Sequence, residues 1–349
     1  MNKSRCKQID IIKAILCILV VLGHAITQDI RQNVIANDLF NFIYTFHMPV
    51  FFILSGIIYS NYEIKYNFKD IIRKKTPRLI LPYITMSLLA YLIVNTAIVA
   101  RNFIINETYL IKGIYNLSDM FKGIVFSNTN IDKHLWFIYV LFIIIIANSI
   151  IRKYIEKEKI ELLVISLILA VLSYRYIYTE YMLLARILYY NFYFQLGAII
   201  FKNYFNSKTK VIPFKSTSVL FNIIIFIICN FILLIIRKKG VYLAINPILS
   251  MGSSISAFYL LYYISNIIKS QLIIKILDVI SKYNYEIYLI HNPFITIGII
   301  TVLLKLEFIN IVFVILIGVI TSISISILIA KFIINKSKVL RYIICGKNK

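Results

Sequence analysis

Long apolar runs separated by short polar or basic segments extend along almost the whole chain. Most runs contain roughly 18 to 25 residues, the length at which a helix crosses a hydrocarbon core about 30 Å thick. The pattern predicts an all-α, polytopic membrane protein with about ten transmembrane helices, forming one membrane-embedded domain over 1–349. The predicted spans are 9–27, 39–60, 78–100, 135–151, 161–176, 181–201, 217–236, 243–267, 284–304 and 308–334.

The composition agrees with a membrane protein and excludes three other classes. Of the 349 residues, 60% are hydrophobic and 15% are charged, and the mean hydropathy is +0.83. Soluble domains contain only about 45–50% apolar residues. A soluble globular enzyme, a disulfide scaffold and a disordered tail are therefore excluded. The four cysteines have no spacing typical of disulfides or zinc ligands, so we interpret them as packing residues and expect no metal site.

The distribution of basic residues predicts the orientation of the chain. Lys and Arg number 38 against 15 Asp and Glu, a net charge of +23. In a soluble protein this excess would suggest nucleic acid, but here the basic residues lie between the apolar runs. A cytoplasmic N-terminus places 26 of them in inner segments and 10 in outer segments, so the positive-inside rule predicts that both termini are cytoplasmic. The outer cluster Arg237, Lys238 and Lys239 argues otherwise and leaves open a misplaced helix pair around 217–267.

The first predicted helix carries a polar stripe. Asp10, Lys13 and His24 fall within an arc of roughly 60° on a helix, and an ionisable side chain at membrane depth costs at least ~2.5 kcal/mol on insertion scales. Asp10 and Lys13 are explained equally well as an ion pair at the interface with snorkelling side chains. That explanation does not extend to His24.

Two further histidines lie beside prolines in apolar runs, His47 in FHMPVFFILSG and His291 in YEIYLIHNPF. Pro49 removes a backbone hydrogen bond, so the Thr45 carbonyl needs another partner. Three of the four histidines thus lie at membrane depth, where a side chain with a pKa near 6.5 can exchange protons at neutral pH. Any one of them could be a satisfied core histidine; all three together favour acid–base chemistry.

Other candidate residues lie near the ends of the predicted helices. His134 opens HLWF, where Trp136 suits the interfacial aromatic belt. Lys74, Lys75 and Arg78 form a basic patch that could hold a phosphate-rich ligand, although positive-inside bias or anionic lipid explains them equally well. Arg186 either pairs with Glu180 or orients an anionic or hydroxyl-rich substrate. Small residues at Ser55-Gly56 favour close helix packing.

Together the motifs IDIIKAILCILVVLGH, FHMPVFFILSG, KKTPRLILPY, HLWF and YEIYLIHNPF resemble those of acyltransferase family 3, a family of integral-membrane O-acyltransferases. The resemblance covers residues 9 to about 295. Lys13 and the histidine-methionine-proline sequence are similar to the fucose 4-O-acetylase-like branch. Many members have arginine where this chain has Lys13, and Arg-x-x-Arg where it has Lys75-x-x-Arg78, so the charge is kept but the bidentate guanidinium is lost.

The resemblance implies transfer of an acyl group, commonly acetyl from acetyl-CoA as co-substrate, to a hydroxyl of a cell-surface or lipid-linked polysaccharide. It also implies location in the cytoplasmic membrane of a bacterium, and in the family the residues matching His24 and Lys13 are essential. On this basis we expect catalytic roles for His24, His47 and His291, with His24 as general base, and acyl-CoA binding by Lys13, Lys75 and Arg78. Expected substrate-binding residues are Asp10, Ser55, His134, Trp136, Arg186 and Tyr288.

Other interpretations stay open. Transfer through a covalent histidine or Ser55 intermediate is one variant of the mechanism. A ten-helix protein with buried histidines could instead be a proton-coupled transporter or exporter of a glycan or acyl precursor. A third interpretation is a structural partner of a polysaccharide synthase. An acyltransferase leaves a new alkali-labile ester, whereas a transporter only moves material, and this difference separates the first two.

Overall fold

The computed structural model describes residues 6–63, 67–104, 115–127, 133–154, 160–177, 179–201, 216–238, 245–306 and 309–347. These residues form helices and their connections, with no strand in the described ranges, so the predicted all-α class is confirmed. The helices are α1 Lys7–Ala25, α2 Val34–Glu63, α3 Phe68–Ile104, α4 Leu117–Phe126, α5 Trp136–Tyr154, α6 Ile160–Ser173, α7 Met182–Ile200, α8 Ser216–Lys238, α9 Asn246–Ile267, α10 Gln271–Lys282, α11 Asn284–Ile290, α12 Thr296–Leu304, α13 Ile311–Phe332 and α14 Lys338–Cys345.

Each predicted span overlaps a helix of the structure. Within the described ranges, eight helices are long and apolar enough to cross a membrane. The helix α6 has only 14 residues, fewer than the ~17 that a span normally requires. The number of spans and the cytoplasmic location of both termini stay predictions. The beginnings of two predicted spans, 243–244 and 308, lie outside the described residues.

The predicted start of the third helix, at 78, is ten residues too late, because α3 begins at Phe68 and continues through Pro77 and Pro82. A proline inside a helix leaves the carbonyl four residues earlier without its usual donor. For Pro82 this carbonyl belongs to Arg78, and the Tyr285 hydroxyl donates to it at 2.5 Å. A side chain from α11 therefore supplies the hydrogen bond that the proline removes.

The short helices α4, α10 and α14 were not predicted from the apolar runs, because they are only 8 to 12 residues long. Both α10 and α14 carry Lys on exposed positions; α10 buries Ile274, Leu277 and Ile280, and α14 buries Cys345. A search for apolar runs of about 19 residues does not detect helices this short.

The Thr45 carbonyl, which loses its helical donor to Pro49, has a side chain of α9 beside it, as the sequence predicts. Pro49 lies inside α2, and the Ser254 hydroxyl of α9 lies 3.3 Å from the Thr45 carbonyl oxygen and 2.6 Å from the Ser250 carbonyl oxygen, so its one proton is shared between these two acceptors. Ser254 is also hydrogen bonded to Tyr193 of α7, whose hydroxyl lies 2.8 Å from that of Tyr189. Ser254 of α9 thus contacts both α2, at the proline, and Tyr193 of α7.

Contacts at the end of α8 connect it to the beginning of α2, while the direction of the 217–267 region across the membrane stays a prediction. Arg237 donates to the Asn41 carbonyl at 2.7 Å, and Lys238 forms an ion pair with Asp38 at 2.8 Å. The end of α8 therefore lies beside the beginning of α2, as the predicted topology requires, and the two basic residues have partners there. The third member of this cluster, Lys239, lies outside the described residues.

The helices α2 and α7 touch through their backbones at two glycines. A β-carbon at Gly56 would lie 2.0 Å from the Phe194 carbonyl oxygen, and one at Gly197 would lie 2.0 Å from the Ile53 carbonyl oxygen. Only glycine fits at either position without moving a helix, so the close approach predicted at Gly56 is confirmed.

We predict that Gly56→Ala and Gly197→Ala each lower the free energy of unfolding by about 1–3 kcal/mol, because the added methyl group forces the two helices apart. Thermal unfolding of the purified protein in detergent measures this effect. Gly298→Ala is the matched control: it is an exposed helical glycine with no atom within 4 Å of an added β-carbon, and we expect no loss of stability. Equal midpoints for all three variants would contradict the close contact.

Candidate active site

Three histidines meet where α1, the start of α5 and the end of α11 come together. The ring centroids are 5.8 Å apart for His24 and His134, 5.3 Å for His24 and His291, and 5.0 Å for His134 and His291. We call these three residues the histidine cluster. His134 and His291 are buried and His24 is half-buried. The sequence analysis placed His134 at the interface with a substrate role, so its direct contact with both other rings is a new observation.

The kink after α11 orients His291. A five-residue π-type segment, His291–Ile295, follows α11, and Asn292 inside it is extended, with φ −125° and ψ 148°. His291 Nδ1 lies 2.9 Å from the Ile287 carbonyl oxygen and 3.0 Å from that of Tyr288. Since carbonyls only accept, Nδ1 carries the hydrogen and Nε2 holds a lone pair. Nε2 is buried without a hydrogen-bond partner among the described residues.

His134 and Tyr288 hold each other through two hydrogen bonds. His134 Nε2 donates to the Tyr288 carbonyl at 3.0 Å, and the Tyr288 hydroxyl donates to the His134 carbonyl at 2.6 Å. The Tyr288 carbonyl therefore accepts from both His134 and His291. One backbone oxygen fixes the orientation and the tautomer of two rings in the histidine cluster.

His47 lies beside the histidine cluster. Its Nδ1 donates to the Ile43 carbonyl at 2.7 Å, and its ring packs edge-on against Tyr44 at 4.7 Å. Tyr44 in turn contacts α1 at Gly23, where a β-carbon would lie 2.8 Å from the tyrosine ring. His47 is thus connected to His24 through Tyr44, and its role as a second proton acceptor stays a prediction.

A cavity of about 230 Å³ extends from His291, the one member of the histidine cluster in its wall, toward the end of α3 that carries the basic patch. Lys75 and Arg78 line it near Tyr285, and Tyr288 and His291 line it further along the same segment. Six residues of helix separate Tyr285 from His291, about 9 Å at ~1.5 Å per residue. Most of the remaining wall is apolar and comes from α1, α2 and α5. The cavity therefore joins a basic end to a histidine end.

The structure brings some of the predicted site residues to this cavity and leaves others outside its wall. Ser55 lines it, with its hydroxyl donating to the Phe51 carbonyl at 2.8 Å. Lys13 and Asp10 form an ion pair at 3.5 Å on α1 and are not part of the wall. The Lys13 carbonyl accepts a 2.8 Å hydrogen bond from Asn284, which does line the cavity. The roles of Asp10 and Lys13 in binding stay predictions.

Trp136 and Arg186 form an aromatic and cationic group next to His134. The Arg186 guanidinium lies 4.6 Å above the Trp136 ring, which also packs against Tyr190 at 5.1 Å. Phe52 stacks on Tyr190 at 4.5 Å. Trp136 and Arg186, both predicted to bind substrate, are therefore in direct contact.

Most residues of the cavity wall were not predicted as site residues, among them three that are polar, aromatic or close to the predicted motifs. Phe137, Tyr285 and Cys17 all line the cavity. Phe137 and Tyr285 belong to HLWF and YEIYLIHNPF, so their presence in those motifs was the available signal. Cys17 lies one turn or more before His24 on α1 and had been interpreted as a packing residue. Nowhere in the described ranges are three or more His, Cys, Asp or Glu side chains arranged to hold a metal ion.

Comparison with protein-family models identifies the family of this chain. The model of the acyltransferase domain of acyltransferase family 3 matches residues 7–331, which is nearly the whole chain and includes every residue of the histidine cluster. The chain belongs to acyltransferase family 3. Neither the search of curated proteins nor the search of solved structures found a match.

Family membership confirms the resemblance seen in the motifs and establishes this protein as a multi-pass membrane acyltransferase. The narrower resemblance to the fucose 4-O-acetylase-like branch stays a prediction. In this family 3 acyltransferase, the histidine cluster is the group of described residues best suited to proton transfer, because it combines several imidazoles with a buried lone pair.

We predict that Tyr288→Phe lowers the free energy of unfolding by about 1–3 kcal/mol, because it leaves the buried His134 carbonyl without its hydroxyl donor. It should also lower acyl transfer, since His134 loses one of the two bonds that hold it to α11. Thermal unfolding and acyl transfer by membranes with matched protein amounts measure the two effects. Tyr181→Phe, at an exposed tyrosine, is the control and should change neither; an equal result for the two variants would contradict the paired bonds.

Proposed function

We propose that this protein is an O-acyltransferase of the bacterial cytoplasmic membrane that moves an acyl group, in the simplest case acetyl, from acyl-CoA to a hydroxyl of a cell-surface or lipid-linked polysaccharide. One observation carries the proposal: a single cavity is lined by Lys75 and Arg78 at one end and by His291 at the other, and the His24 ring lies 5.3 Å from the His291 ring. An acyl-CoA donor has phosphates at one end and a thioester at the other, which matches this polarity.

The donor would enter with its thioester first. Its phosphates would pair with the Lys75 ammonium and the Arg78 guanidinium, which form charge-assisted hydrogen bonds with phosphate oxygens. Its thin, largely apolar arm would occupy the apolar part of the cavity and bring the thioester carbonyl to His291. Lys13 lies outside the cavity wall, and its carbonyl is hydrogen bonded to Asn284, which lines the cavity. Lys13 would therefore act on the donor only indirectly.

The proposed chemistry begins with a proton transfer in the histidine cluster. The acceptor hydroxyl gives its proton to His24, which acts as general base, while its oxygen attacks the thioester carbonyl carbon. The tetrahedral oxyanion then collapses, the carbon–sulfur bond breaks, and the CoA thiolate takes the proton from the His24 imidazolium. The His291 ring lies 5.3 Å from the His24 ring and has a buried lone pair at Nε2, which supports a role for His291 as a second proton acceptor.

The acceptor would bind on the side of His24 away from the cavity, near Trp136 and Arg186. Aromatic faces pack well against the apolar face of a sugar ring, and a guanidinium donates to hydroxyl or carboxylate oxygens. The Trp136 ring, only two residues from His134, already stacks with Arg186 and Tyr190. These contacts favour a carbohydrate acceptor over a purely apolar one.

We predict that His24→Gln lowers acyl transfer about 10²- to 10⁴-fold, the usual cost of losing a general base, without lowering the amount of protein in the membrane. The measurement is ester-linked acetyl on surface glycans, released by mild alkali, from cells with wild-type protein, with His24→Gln or with neither. Gln28→Ala, at an exposed position just after α1, is the control and should acetylate normally.

Two results would contradict this assignment. Normal acetylation by His24→Gln would remove His24 from the chemistry. Equal acetylation in all cells, with altered glycan export, would replace the acyltransferase mechanism with transport.

We also predict that Lys75→Gln and Arg78→Gln each raise the Kd for acetyl-CoA about 10- to 100-fold, because a hydrogen bond to a charged group contributes about 1.5–3 kcal/mol. Equilibrium binding of radiolabelled acetyl-CoA to the purified protein measures this. Arg73→Gln removes one positive charge from an exposed position of the same helix outside the cavity wall, and should leave the Kd unchanged. If all three variants bound equally well, general positive charge rather than the cavity would explain donor binding.

A further inference from the structure

The last described helix packs against the part of α3 that carries the basic pair. After α14 the chain turns at Gly346, whose φ of 61° and ψ of 27° are left-handed. A β-carbon at this position would lie 1.9 Å from the Pro77 carbonyl oxygen and 2.6 Å from the Arg78 Cα. Glycine is needed here for both reasons, the positive φ and the direct contact with the backbone of α3.

The following residue reaches a different helix. Lys347 Nζ lies 2.6 Å from the Glu286 Oε1 of α11, in an ion pair whose carboxylate side chain is only 3% exposed. A carboxylate this deeply buried needs a partner, because removing one member of a buried pair leaves an uncompensated charge. Gly346 and Lys347 therefore hold α3 and α11 to the same short piece of chain.

A second, direct bond joins these helices at the same level. Tyr285, adjacent to Glu286, donates to the Arg78 carbonyl that Pro82 leaves without a backbone donor. The relative position of α3 and α11 is thus fixed at two points, one through the Tyr285 hydroxyl and one through the C-terminal residues.

Both helices line the cavity, and each carries one of its two ends. Arg78 lies on α3 at the basic end, and His291 follows α11 at the histidine end. We propose that Gly346 and Lys347 are positioning residues for the acyl donor: through Pro77–Arg78 and Glu286 they set the placement of the basic pair relative to the histidine cluster. This inference rests on the proposed function, because it assumes that acyl-CoA occupies the cavity.

The test uses the purified full-length protein with radiolabelled acetyl-CoA as the probe. We expect Lys347→Met to raise the Kd about tenfold, a change of about 1.4 kcal/mol, without reducing the number of binding sites per molecule. Lys347→Arg should bind as wild type does. Lys338→Met removes the same charge from an exposed position of α14 and should have no effect.

A double variant separates positioning from direct contact with the donor. In Lys347→Met/Glu286→Gln the buried carboxylate is no longer left alone, so the Kd should return to within about threefold of wild type if the pair acts by positioning. If the double variant binds as weakly as Lys347→Met, Lys347 contacts the donor itself and the inference is overturned.

The remaining outcomes are also distinguishable. An unchanged Kd in Lys347→Met, or fewer binding sites with a normal Kd, would overturn the inference while leaving the proposed function intact. Gly346→Ala tests the other contact, on α3, and should raise the Kd in the same direction. If the wild-type protein neither binds acetyl-CoA nor acetylates glycans, the proposed function fails, and the inference fails with it.

Discussion

The structure depends on one requirement of the membrane interior: a backbone carbonyl that loses its helical donor must find another, because no water is present to replace it. Pro49 removes the donor of the Thr45 carbonyl, and the Ser254 hydroxyl of α9, which also donates to the Ser250 carbonyl, lies 3.3 Å from the Thr45 oxygen. The second proline of α3 does the same to the Arg78 carbonyl, and Tyr285 of α11 replaces it. At Pro49 and Pro82 the interrupted backbone therefore meets a side chain from a neighbouring helix.

These connections also position the candidate site. The Tyr288 carbonyl, in the last turn before the π-type segment, accepts hydrogen bonds from His134 and His291, so the irregular end of α11 holds two rings of the histidine cluster. The bond from Tyr285 holds the backbone of Arg78. Both ends of the cavity thus depend on a backbone carbonyl, that of Arg78 or of Tyr288, which in an uninterrupted helix would accept a hydrogen bond from the backbone four residues later. Local disruption of the helices therefore leaves carbonyls that orient the side chains of the candidate site.

Much of this arrangement could be predicted from the sequence, and the rest could not, for identifiable physical reasons. Apolar runs predict the helices well, because a segment in the membrane must satisfy its own backbone hydrogen bonds. The need of the Thr45 carbonyl for a partner follows from Pro49 alone. The place of His134 in the histidine cluster does not follow, because it depends on its bonds to Tyr288, 154 residues later. The early start of α3 was missed because the spans were predicted from apolar runs, and residues 68–77 are rich in Lys and Arg. The role of Gly346 depends on a contact with α3 that no local pattern reveals.

The apolar wall of the cavity bears on the proposed chemistry as much as its two polar ends do. A thioester can lose its acyl group to water as well as to a sugar hydroxyl, and an acyltransferase must favour the second reaction. His291 is fully buried, and most of the cavity wall beside it is apolar, so water has few hydrogen-bond partners there. His24 is the half-buried member of the histidine cluster, and on the proposed function it is the ring that meets the acceptor. On the proposed function, the acyl group would therefore be held where water is disfavoured and released where the acceptor hydroxyl meets a base.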